Sequence, residues 1–308
     1  MKKILPAMLL TVLLMIFAAV PMNVNAAVYQ QGVVYVIYDE TGEKAPKDMT
    51  DANTNGVPDF VEDLATQLNA TRELFHEVFN FPDPLKSERF KNVTSIEIDI
   101  EAKTETNKAN GNAYSGVRKK SRHNPNERAI HIRVANTVDP HKNSTPAHEY
   151  FHLIQYGTTY YRNKWFLEGM ARWSQDALSK INYPPAQDIP RMLKDNGDKE
   201  RLFQRSYKAA ELFWYPLAMD MHDKAKIPSR LMKKYKYVNG SPVFHDDIFY
   251  GPNVMLKVLR AMKAKENDAA ISEGFANVGE WHRKGQRDER NSEFIMDCVR
   301  EVYRSKNS

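Results

Sequence analysis

The chain has 308 residues, 42% hydrophobic and 27% charged, the balance of a globular protein with a substantial core. Its formal charge of +5 is scattered among acids, and no nucleic-acid-binding motif goes with it, so a nucleic-acid partner is not expected. The only cysteine is Cys298, which excludes an intramolecular disulfide and reads as a packing residue of a C-terminal helix.

Residues 1–26 read as a secretory signal peptide. Lys2 and Lys3 open it, an apolar run follows from Ile4 to Val20, and Val24-Asn25-Ala26 offers a small-residue cleavage site. The expected location is secreted or periplasmic, with no stable membrane insertion once the signal is removed. An exported chain without disulfides draws stability from other sources, and bound metal is one of them.

Residues 28–38, VYQQGVVYVIY, are β-branched and aromatic and read as one strand. Next comes 51-DANTNGVPDFVE-62, which fits the spacing of a calcium loop. Asp51, Asn53 and Asn55 take the first ligand positions, Gly56 the sharp turn and Val57 a carbonyl ligand. Asp59 takes the ninth position and Glu62 the bidentate twelfth. Pro58 has no N–H for the β-bridge of paired hands, and no helix precedes Asp51. The stretch resembles an isolated, dockerin-like loop that braces the helix after it with Ca2+.

Helical spacing runs over 60–79, through Phe60, Leu64, Leu68, Leu74 and Phe75. Residues 93–100 alternate as a half-buried strand does, 107–116 read as loop or irregular edge strand, and 129–134 alternate again. The run 118-RKKSRH-123 reads as a solvated loop. Helical patterns follow at 146–156, 165–180, 207–223, 252–265 and 291–305. The expected organisation is α+β, with a β-rich subdomain over 27–145 and a helical subdomain over 146–308.

The segment 148-HEYFH-152 places His148 and His152 on one helical face, with Glu149 beside them. Thr145 can cap this helix, Pro146 suits its first turn and Gly157 its end. In the H-E-x-x-H arrangement the histidines bind zinc and the glutamate is general base to a water. The motif alone arises by chance in about two such chains in a hundred, so a third ligand decides its weight. Glu168, in 165-WFLEGMARW-173, lies on the next helix among apolar residues, where a carboxylate needs a partner.

HEYFH followed by WFLEGMA resembles the gluzincin metallopeptidases, the clan of thermolysin and aminopeptidase N, in the aminopeptidase-like E-G-x-A form. The resemblance covers roughly residues 129–220 and implies a zincin-like fold. It implies Zn2+ held by His148, His152 and Glu168, and Glu149 as the base in hydrolysis of a protein or peptide substrate. It also implies that the strand over 129–134 is the edge that pairs with extended substrate. The segment 206-SYKAAELFWYPL-217 resembles the helix that carries a catalytic tyrosine, and Tyr207 is the matching position; Tyr215 and His222 are weaker matches, and His131 reads as a strand-surface histidine. The 15 residues between His152 and Glu168 are fewer than in those two members, which leaves the subfamily open. No GxMEN-like segment is present to hold a terminal amine, which favours an endopeptidase. Two other readings use the same residues: a calcium-braced extracellular binding or adhesion protein on a zincin-like scaffold, and a zinc hydrolase of a non-peptide substrate.

Overall fold

The computed structural model describes residues 26–106, 108–179 and 187–307. The expected signal segment, up to residue 25, lies outside them. The fold is mixed α+β with a small mixed sheet.

The run read as one strand is a hairpin. β1 (Ala27–Gln31) and β2 (Val34–Tyr38) pair antiparallel, with Gln31 opposite Val34. The two-residue turn needs Gly32, whose φ of 64° is costly for other residues. α1 (Asp59–Glu73) starts directly after Pro58, which sits in extended conformation at its N-cap. The helix then widens into a π-helical turn over Leu74–Val78, so the expected 60–79 span is one body in two geometries.

β3 (Ser95–Glu101), β4 (Gly111–Ala113) and β5 (Ala129–Ala135) complete a five-stranded sheet in the order β1-β2-β3-β5-β4. β2, β3 and β5 run parallel, and β4 pairs antiparallel with β5. β5 is therefore interior, and the three-residue β4 is the edge. This corrects the expectation that residues 129–134 form the edge strand. Val34, Val36, Ile96, Ile98, Ile130, Ile132 and Val134 are all fully buried in one core cluster with residues of α1 and of the helix over 145–158.

β3 is covered on both faces, as central parallel strands are. Its alternation pairs isoleucines on one side with Glu97 and Asp99 on the other. The 118–123 run, read as a solvated loop, supplies the partners of these acids. Arg118 forms ion pairs with both carboxylates, Arg122 bonds Asp99, and Ser121 and His123 bond Glu97. Burial raises the Glu97 pKa, but the bonds from Ser121 and His123 and the charge of Arg118 outweigh it, so it lies below its ordinary value. The network thus stabilises the fold above that ordinary value and loses its contribution as pH falls through the depressed one. Arg118→Ala is expected to destabilise by about 3 kcal/mol, the cost of a buried carboxylate losing its main cation. Urea unfolding measures it, and a change under 1 kcal/mol would refute this account of the loop.

α2 (Thr145–Thr158) and α3 (Lys164–Trp173) follow, then α4 (Ile189–Met192), α5 (Asn196–Phe203) and α6 (Tyr215–Asp220). α3 stops at Trp173, short of the expected 180, and Ala177 turns with φ 62°. Of the expected 207–223 helix, residues 210–220 form one continuous body, a π-helical turn over Ala210–Trp214 that runs directly into α6. Pro216 has no N–H for the preceding turn, which suits the widened geometry there. β6 (Lys224–Lys226), α7 (Ser229–Lys234) and β7 (Ile248–Tyr250) were not expected; β6 and β7 form a separate two-stranded sheet. α8 (Pro252–Ser272) and α9 (Asn291–Arg304) close the chain. Cys298 is fully buried on α9 and burial pushes its thiol up to about 11, which suits packing and not nucleophilic attack. No helix among the described residues is long and apolar enough to cross a membrane.

Candidate metal centre

α2 begins one residue before the expected span. Thr145 is its first residue and not its cap; Asn143 Oδ1 accepts from the Thr145 N–H at 2.9 Å. Gly157 lies inside the last turn and not beyond it. A Cβ there would meet Pro84 Cα at 3.3 Å, so the glycine serves close approach of the 84–90 segment.

On α2, His148 and His152 present their rings to each other edge to face, 4.8 Å between centroids. α3 packs across them and delivers Glu168. Its Oε2 lies 3.3 Å from His148 Nε2 and 3.5 Å from His152 Nε2. On the far side, Gly169 lets α3 sit close against the Ala210–Trp214 turn, because a Cβ there would meet Trp214 Nε1 at 2.7 Å. The ligand atoms of His148, His152 and Glu168 all lie within 4.8 Å of one another. Among the described residues no other group of three His, Cys, Asp or Glu side chains converges this way.

The donor set fits a metal ion. Gln155, fully buried, donates through Nε2 to the carbonyls of Phe166 and Leu167 at 3.4 and 3.2 Å. Its Oε1 therefore faces His152 Nδ1, at 2.8 Å, and accepts that N–H. The proton is then on Nδ1, and the Nε2 lone pair faces Glu168 and His148. Sequence reasoning missed Gln155, which carries no motif signal beyond its place three residues after His152. It both orients a ligand and ties α2 to α3.

Electrostatics bear the same mark. Burial foremost lowers the His148 pKa to about 4, so its imidazole is neutral at pH 7. Burial opposes ionisation of His152 and Glu168 as well. The nearby Glu168 and Glu149 carboxylates outweigh it at His152, which is raised, and the His148 and His152 imidazoles outweigh it at Glu168, held far below the ordinary carboxylate range. Glu149, buried beside the cluster, is pushed up to about 7 chiefly by burial. The backbone N–H of Ala113 on β4 acts weakly in the opposite sense. Gly111 lies flush against the carboxylate; a Cβ there would meet Glu149 Oε1 at 2.5 Å.

Tyr207 stands at the mouth. It is 55% exposed, and its ring centroid is 5.5 Å from that of His148. Burial and then the charges of Glu168 and Glu149 push its pKa up. Tyr215 is fully buried and donates to the carbonyl of Arg172 at 3.2 Å, and His222 is exposed beyond α6; neither joins the cluster. His131 is half buried, not on an open strand surface, and stacks on Tyr114 at 4.2 Å.

Two depressions flank the cluster along β4. One, about 620 Å³, reaches from Ala109–Gly111 to His148, Glu149 and Tyr207. The other, about 990 Å³, reaches from Asn112–Tyr114 past Glu168 to Arg162.

The 51–62 loop is separate. Asp51 Oδ2 accepts the Gly56 N–H at 2.8 Å, and Gly56 has φ 87°. Asn55 Oδ1 accepts the Val57 N–H at 2.9 Å, and Asp59 Oδ1 accepts the Ala52 N–H at 3.0 Å. Glu62 lies between the amides of Asn53 and Asn55, at 2.8 and 2.9 Å. The loop thus gathers Asn53, Asn55 and Glu62, while the carboxylates of Asp51, Asp59 and Glu62 do not converge as the histidine cluster does.

No protein-family model, curated protein or solved structure matches the chain.

Proposed function

We propose that the chain is an exported zinc metallopeptidase of gluzincin type on a zincin-like fold, and that it acts as an endopeptidase. The observation that carries this reading is the convergence of His148, His152 and Glu168 within 4.8 Å, with Glu149 on the same helix and turned to the same cleft. A structural core would have no use for two imidazoles and two carboxylates in one place.

His148, His152 and Glu168 would hold the zinc, which would supply Lewis acidity toward a scissile carbonyl and a water. Gln155 holds His152 in the tautomer that offers Nε2. Glu149 takes the proton from the attacking water and returns it to the leaving amine. The wall formed by Gly111 fixes the position of its carboxylate. The Tyr207 hydroxyl, on a ring beside His148, donates to the oxyanion as it forms. β4 has one ladder partner, β5, and its free edge pairs with an extended peptide. Depressions on both sides of the cluster accommodate chain in both directions, which suits an endopeptidase.

The test is digestion of a mixed peptide library by the purified protein, read by mass spectrometry. Cuts should vanish with a zinc chelator and return with zinc. A protein that holds zinc and cuts no peptide would overturn the reading.

The 51–62 loop is proposed to bind Ca2+ and brace the start of α1, with Asp51, Asn53, Asn55, Val57, Asp59 and Glu62 as ligands. At a hundredfold excess over Kd the ion contributes about 2.7 kcal/mol. For a chain of this size that raises Tm by roughly 4–5 °C. Thermal melts in calcium and in chelator measure the rise, and Glu62→Ala should abolish it. An equal rise in that variant would locate the ion elsewhere.

A further inference from the structure

The larger depression beside the cluster has a floor built around one arginine. Arg162 is only 4% exposed. Its main-chain N–H donates to the Gln286 carbonyl at 2.8 Å, and its Nε donates to Gln286 Oε1 at 2.7 Å. Its guanidinium carbon lies 4.5 Å over the ring of Tyr156. That ring stacks in turn on His152, with 5.8 Å between centroids and 11° between planes. Gln286 is itself held by the Trp281 carbonyl. The guanidinium is therefore fixed in place two rings' depth from the metal ligands.

What it lacks is an anion. Among the described residues its two Nη groups have no hydrogen-bond partner, and no carboxylate lies within 4.0 Å of Arg162, Arg283 or Arg287. Lys164, Arg283 and Arg287 stand exposed on the rim of the same depression. The acids lining it are Glu200, Glu289 and the cluster residue Glu168. Burial foremost, and the charges of Arg89, Arg283 and Arg287, push Arg162 below its ordinary value; the positive charge here is under-compensated. The guanidinium thus turns its Nη donors into the depression with no protein acceptor, and its fork matches a carboxylate.

We propose that Arg162 binds a carboxylate of the peptide substrate, an acidic side chain or the chain end, in the depression between Tyr114 and Arg287. The rim cations draw that carboxylate in. The inference rests on the peptidase reading and assigns its substrate class. Charge-assisted bonds of this kind carry roughly ten- to a hundredfold in affinity.

The experiment compares matched peptides on the wild type and on Arg162→Gln. One pair differs by Glu against Gln at a single position near the cut, and a second pair by a free against an amidated C-terminus. The wild type should favour the acid over its neutral partner about tenfold or more in kcat/KM. Which pair shows the preference identifies the source of the carboxylate. Arg162→Gln should bring the ratio near one; a merely structural loss would lower both members equally and leave the ratio intact. Arg283→Gln with Arg287→Gln, both at exposed positions, should reduce the ratio partway without a risk to folding. A wild type indifferent to both pairs, or an Arg162→Gln protein that keeps the ratio, overturns the proposal. If no peptide is cut at all, the peptidase reading fails, and direct binding decides this one. Fluorescence titration should then show the acid peptide binding about tenfold tighter to wild type than to Arg162→Gln, and equal binding overturns it.

Discussion

Glu149→Gln should retain its zinc and lose peptide cleavage by about 10²–10⁴-fold in kcat, the range for removing a positioned general base. The substitution keeps the side chain's volume and one carbonyl oxygen, so the fit against Gly111 is unchanged. It removes the ability to hold a proton in transit. Burial disfavours the charge at this site, so the neutral amide carries no folding penalty and the melting temperature should not fall. Three readings then separate the explanations: zinc content by mass spectrometry, Tm, and kcat on one peptide. Unchanged zinc and Tm with cleavage lost assigns the base. Cleavage retained within about tenfold, far short of what a lost base costs, would place the proton transfer elsewhere. Loss of zinc as well would make Glu149 part of the ligand field instead.

The parts of the site that were legible in the sequence are those in which residue identity is the chemistry. His148, Glu149 and His152 share one helix, so their spacing alone places them, and Glu168 stood out as a carboxylate among tryptophans. The parts that were not legible depend on the tertiary neighbour. β4 is three residues long and is a strand only because β5 supplies its ladder, so its place at the edge followed from pairing and not from pattern. Glu97 and Asp99 read as solvent-facing because they alternate with isoleucines, yet the strand lies in the middle of the sheet. The basic run 118–123 then had to be their partner and not a free loop. Gly32 was the sole mark of a hairpin inside eleven residues of continuous β-propensity. Gln155 and Arg162 are ordinary polar residues in sequence; what distinguishes them is burial, and burial is a property of the packing.

Glu168→Gln should weaken zinc binding by at least about 10³-fold, more than the ten- to a hundredfold typical of a residue that only supports a ligand. Glu168 is the one anion of the three ligands, and the two imidazoles it faces are close enough to hold it ionised far below its ordinary range. The amide keeps the shape and can still accept a hydrogen bond, so α3 should stay docked on α2 through Gln155 and on the Ala210–Trp214 turn through Gly169. The charge that a divalent ion requires is gone. Gln155→Ala is the internal comparison, because it frees the His152 ring without removing a ligand and should fall in the lower range. Competition with a chromophoric chelator ranks the three proteins. If Glu168→Gln and Gln155→Ala weaken zinc equally, Glu168 is a supporting carboxylate and the third ligand lies elsewhere. If Glu168→Gln binds as tightly as wild type, the His148–His152–Glu168 convergence is an ion-pair cluster within the protein core, and the metallopeptidase reading falls with it.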